Sequence, residues 1–97
     1  MDSIIGKYVW STSGRDKGNL FIVTAIVDDQ YVMLADGMLR KLEKPKKKKL
    51  KHLLITEFQP FPLFEQTKNH RKIQDSDLRE AIQNMKDQSN SPIRGGD

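Results

Sequence analysis

The sequence predicts a mainly β fold: a small closed barrel of about five short strands, followed by one C-terminal α-helix. Three observations point there. Runs of apolar, β-branched and aromatic residues at 4–10, 20–27 and 31–35 are separated by short segments rich in Ser, Gly, Asn and Asp, the pattern of strands and turns. Asp36-Gly37 is a strong hairpin dipeptide. Only one stretch, 75–87, carries apolar residues at helical spacing.

In the first strand region Ile4, Ile5, Tyr8, Val9 and Trp10 are apolar, and Gly6 marks a bulge or a close backbone approach. Trp10, the single tryptophan, reads as a partly buried barrel residue, with a base-stacking surface as the alternative. The turn that follows, Gly14-Arg15-Asp16-Lys17-Gly18, is bracketed by two glycines that permit tight geometry. Arg15 and Lys17 are donors without acceptor capacity, so the turn is suited to oxygen ligands such as phosphate. A plain hairpin turn with solvated charges is the other reading.

Residues 20–27 are apolar at nearly every position except Thr24, which fits a central strand covered on both faces or one that switches faces at a bulge. Asp28-Asp29-Gln30 reads as a solvated hairpin tip, because adjacent carboxylates on a tight turn point apart and no third ligand stands near. After Asp36-Gly37 the chain is expected to return as a strand over 39–42. Next comes Lys44-Pro45-Lys46-Lys47-Lys48-Lys49, where self-repulsion and the proline argue for an extended arm or long loop on the barrel rim. Leu50, Leu53 and Ile55 resume a strand or a short turn that closes the sheet.

Residues 58–64 differ in kind. Two prolines forbid a central strand or helix interior, yet three phenylalanines are too apolar for a free linker. The segment is expected to lie extended across the barrel; an exposed aromatic strip for a protein partner is the alternative. In the helix, Asp77 followed by Glu80 suggests a capping box, and Leu78, Ala81, Ile82 and Met85 share one face. The organisation expected is a barrel over 1–56, an aromatic and proline-rich extended segment over 57–74, a helix over 75–88, and a disordered tail over 89–97.

Ninety-seven residues suit one domain with a modest core. The chain has no cysteine, which excludes disulfides and cysteine zinc sites and suits a reducing, cytoplasmic compartment. No apolar run approaches the ~20 residues of a membrane span, and Met1-Asp2-Ser3 does not begin like a signal peptide. The net charge of +4 is unevenly spread. Through Thr56 there are 11 Lys and Arg against 6 Asp and Glu, and beyond it 6 against 7, so the excess lies in the expected barrel. A concentrated positive charge is the electrostatic footprint of a nucleic-acid binder.

The stretch from Gly6-Lys7-Tyr8-Val9-Trp10 through Ser13-Gly14-Arg15-Asp16-Lys17-Gly18 to Phe21-Ile22-Val23-Thr24-Ala25-Ile26-Val27 resembles a KOW motif, with Gly18 at the signature glycine. With Tyr31 to Gly37 and the basic segment from Arg40 to Leu53, residues 3–56 are similar to small bacterial KOW-domain proteins related to KOW-bearing large-subunit ribosomal proteins. The resemblance implies an SH3-like barrel that binds RNA, usually ribosomal RNA.

The expected RNA-binding residues are Ser13, Gly14, Arg15, Lys17 and Gly18 in the turn, and Arg40, Lys41, Lys44, Lys46, Lys47, Lys48, Lys49, Lys51 and His52 in the basic segment. The lysine run also reads as a solubilising surface, and His52 as an ordinary strand-end residue. If the turn and the run share one rim, they form a continuous positive surface that grips phosphates with little base discrimination. A second, weaker basic cluster surrounds His70. Two isolated histidines and the lack of any nucleophile–base or metal-ligand constellation argue against an enzyme, and no cofactor is expected. The partners expected are RNA, with ribosomal or other translation proteins as further candidates, and no membrane. The competing reading is a protein–protein adaptor of the translation or transcription machinery.

Overall fold

The computed structural model describes residues 3–61 and 72–88. Five strands form, β1 (Tyr8–Ser11), β2 (Leu20–Ile26), β3 (Tyr31–Ala35), β4 (Lys46–Lys49) and β5 (Leu53–Ile55), and one helix, α1 (Asp75–Gln88). The strands make one antiparallel sheet in the order β4-β3-β2-β1-β5. β4 and β5 therefore occupy opposite edges, yet only a 3-10 turn, Leu50–His52, separates them in the chain. In a flat sheet the edges would stand ~19 Å apart. Four Cα steps from Lys49 to Leu53 reach no more than ~14 Å. The sheet must curl strongly to bring its two edges together. No ladder joins β4 to β5, so the expected closed barrel is an open, curled sheet.

That curl gives the sheet an inside and an outside, and both are apolar where β1 and β2 run. Val9, Phe21, Val23, Val32 and Leu34 fill the inside, with Ile4, Ile5, Leu50 and Leu53 packed around them. Tyr8, Trp10, Leu20, Ile22 and Ala35 face outward and are covered by Leu78, Ala81, Ile82 and Met85 of α1, together with Phe61 and Ile73. Alternate residues of the first half of β2 thus enter two different layers, which is why that run lacks the usual polar alternation. The register shifts between Val23 and Ala25, so the expected bulge lies at Thr24; beyond it the strand emerges, and Ile26 is exposed. Trp10 is 4% exposed beneath the helix and offers no stacking surface.

The helix is held by polar contacts as well as by its stripe. Tyr8 Oη donates to the Ala81 carbonyl at 2.7 Å, and burial pushes the phenol's pKa up. The Leu42 N–H donates to Asp75 Oδ1, and Arg79 Nη1 donates to the Gly37 carbonyl. The cap differs from the expected one. Asp77 is the residue reaching back, accepting from the Gln74 N–H at 2.8 Å, rather than the cap itself.

The fourth strand is not the one anticipated. Residues 39–42 form turns, because the Asp36 carboxylate accepts from the Met38 and Arg40 N–H groups and Leu42 is engaged by Asp75. Strand β4 is instead the lysine run, paired residue for residue with β3 from Tyr31↔Lys49 to Leu34↔Lys46. Pro45 lies just before the strand, where a missing donor costs nothing on an edge.

Gly6 has φ +87° and lies so close to Phe61 that a Cβ there would run into the Phe61 carbonyl. The expected close backbone approach is thus an approach to the aromatic segment. Within that segment Phe61 is buried, whereas Phe58 is 63% exposed. Residues 62–71 and 89–97 lie outside the described residues, including the remainder of the aromatic segment, the His70 cluster and the anticipated tail. No described helix is long and apolar enough to cross a membrane.

Candidate functional site

A strand of four lysines needs its charges placed, and the pleat sends them to two sides. Lys46 and Lys48 share the side of Leu34 and Val32 and reach the turn between β1 and β2. There Lys46 Nζ lies 2.7 Å from Asp16 Oδ2, and Lys48 Nζ lies 2.9 Å from Asp16 Oδ1 and 2.8 Å from the Ser13 carbonyl. Ser11 Oγ donates to Asp16 Oδ1 at 2.7 Å, tying the carboxylate to the end of β1. The Asp16 side chain is 11% exposed and that of Lys48 is 9% exposed. Partial burial pushes the Asp16 carboxyl up. Hydrogen bonds from Lys46, Ser11 and Lys48, with the Lys48 charge, outweigh this and hold it well below the usual carboxylate range.

The turn and the lysine run therefore meet, through the one acidic residue between Arg15 and Lys17. The same contact takes two of the four run lysines into internal ion pairing. Lys47 and Lys49 point to the other side, toward Tyr31. Arg15, Lys17, Lys47 and Lys51 are exposed and Lys49 is partly so, and none forms an ion pair with a described acid.

The rest of the expected set divides. Ser13 contributes its carbonyl to Lys48. Gly14 and Gly18 both have positive φ, +86° and +89°, and the Gly18 N–H donates to the Ser11 carbonyl at 2.8 Å. Valine at 18 is strained there, so Gly18→Val is expected to cost about 1–3 kcal/mol, read as a lower urea midpoint. His52 is partly buried at the 3-10 turn, and its carbonyl accepts from the Thr12 N–H. Arg40 and Lys41 are exposed on the loop that docks against the start of α1, while Lys44 is exposed where the chain approaches β4.

Asp16 and Tyr31 were not among the anticipated site residues. The only signal for Asp16 is a lone acid inside a basic turn, and for Tyr31 an aromatic at the start of a strand. No family model matches this chain, and no curated protein does.

Proposed function

We propose that this protein is a non-catalytic RNA-binding module with an SH3-like barrel of the KOW type, associated with ribosomal RNA of the large subunit. The observation that carries this reading is the meeting of the Gly14–Gly18 turn with β4, which brings the turn bearing Arg15 and Lys17 to the strand bearing Lys47 and Lys49, with no described acid ion-paired to any of the four. Lysines act on phosphates as point charges, so the expected mode is backbone gripping with weak sequence preference. The curled five-strand antiparallel sheet supports the barrel type, and the KOW-like sequence around Gly18 supports RNA over other polyanions.

The division of the lysine run gives the test. Each phosphate contact contributes about 0.7–0.9 to the magnitude of the slope of log K against log salt. Lys47→Ala/Lys49→Ala is expected to lower that magnitude by about 1.4–1.8 and to leave the melting temperature near that of the parent. Lys46→Ala/Lys48→Ala is expected to lower the melting temperature. Absence of RNA binding by the parent at low salt overturns the reading; an unchanged slope in Lys47→Ala/Lys49→Ala removes β4 from it. Co-sedimentation with ribosomal subunits, followed by crosslink mapping, tests the ribosomal assignment.

A second reading, an adaptor for a protein of the translation or transcription machinery, draws on Leu54 and Ile55 in β5 and Phe58 just beyond it, all three exposed. Binding there would persist at high salt, whereas phosphate gripping would not.

A further inference from the structure

Lys49 is the direct cross-strand partner of Tyr31, and Lys47 pairs with Met33 one pleat along on the same face. Their ammonium nitrogens lie 5.7 and 4.7 Å from the centre of the Tyr31 ring. The apolar layer under α1 takes Ala35 from β3 but neither Tyr31 nor Met33, which are only partly buried. The Asp28 carboxylate accepts from the N–H groups of Gln30 and Tyr31, both at 2.8 Å, which fixes the backbone at the base of the ring.

We propose that Tyr31, flanked by Lys47 and Lys49, is a nucleobase platform for single-stranded RNA. This deepens the RNA reading and rests on it. An aromatic ring stacks any base, because every base has a π face, and adjacent cations hold the phosphates on either side. The lysines already rest against the ring, so a base must displace part of that contact. A base stack is worth about 5- to 150-fold in an equilibrium constant, against about 2- to 5-fold for each exposed cation–π contact it displaces. The displaced ammonium groups then meet phosphate instead of water. The Asp28 carboxylate, held by the two backbone amides through Oδ1, also attracts Lys47 electrostatically, so phosphate competes with it for that lysine. Bases in a duplex are already stacked and paired, so the platform selects unpaired strands.

The test uses the full chain and three probes: a short oligouridylate, an abasic ribose-phosphate oligomer of the same length, and a blunt RNA duplex. Tyr31→Ala is expected to weaken oligouridylate binding about 5- to 100-fold and to leave the other two unchanged. Tyr31→Phe should bind all three like the parent. Tyr31→Leu, which keeps apolar bulk on the strand without a π face, should behave like Tyr31→Ala and guards against a folding artefact. Lys47→Ala/Lys49→Ala should weaken all three. Parent-like oligouridylate binding by Tyr31→Ala and Tyr31→Leu overturns the platform, as does an equal loss for the abasic oligomer; in both cases lysine-dependent binding leaves the RNA reading standing. A parent that binds none of the probes overturns both.

Discussion

Replacing Asp16 with alanine is expected to destabilise the fold by about 2–3 kcal/mol, somewhat less than breaking a fully buried ion pair costs because Lys46 retains some solvent. The melting temperature should fall by on the order of 10–20 °C for a domain of this size. The reason is what remains behind. Lys48 would keep only the Ser13 carbonyl as a partner, in a side chain 9% exposed, and would face the Lys46 ammonium with no intervening anion. The β1–β2 turn would also lose its tie to the β4 edge.

The same network sets an acid limb. The Asp16 carboxyl has a lower pKa folded than unfolded, so its contribution is fully present above the unfolded value near ~4. It is lost as pH falls from there through the folded value. Stability of the parent should therefore decline below about pH 4. Asp16→Asn, which keeps the shape and removes the titration, should start lower and decline less. Urea midpoints collected down the acid range measure this; parallel curves for parent and Asp16→Asn would show that the ion pairs contribute no stability.

Leu78→Ala is expected to cost about 3 kcal/mol, within the usual range for a buried leucine truncated to alanine. Leu78 is fully buried at the N-terminal end of the α1 stripe, in the same layer that holds Trp10. Small domains have only about 5–15 kcal/mol in hand, so a loss on this scale concentrates in the helix, whose contacts can open while the inner layer persists. Trp10 is the single tryptophan and reports directly. Its emission should shift to the red together with a loss of helical circular dichroism, before the sheet melts. A cost under about 1 kcal/mol with unchanged Trp10 emission would contradict the docking described.

What could be read ahead from the sequence follows from where local signals agree with tertiary demands. The stripe Leu78, Ala81, Ile82 and Met85 and the apolar run at the start of β2 were legible because residue pattern alone encodes burial on one face or on two. The fourth strand was not. Four consecutive lysines have poor strand character, and their repulsion argues for a loose arm. Pairing with β3, neutralisation by Asp16 and contact with Tyr31 reverse that, and all three involve residues distant in the chain. The strand anticipated over 39–42 failed for the complementary reason. Asp36 satisfies two amides locally, and Leu42 is drawn to Asp75, 33 positions away. For the candidate site, the cations were legible as a set but not their division, because outward and inward lysines differ only in a register the sequence does not state.

The sheet order has a consequence for how the chain is made. β1 is made before its outer ladder partner at residues 53–55, and the Tyr8 hydroxyl finds its acceptor, the Ala81 carbonyl, 73 residues later. The hairpins formed before that point must therefore wait, half-lined, until α1 has emerged. During that interval Trp10, Leu20 and Ile22 have no lid, which leaves an apolar surface open to nascent-chain aggregation.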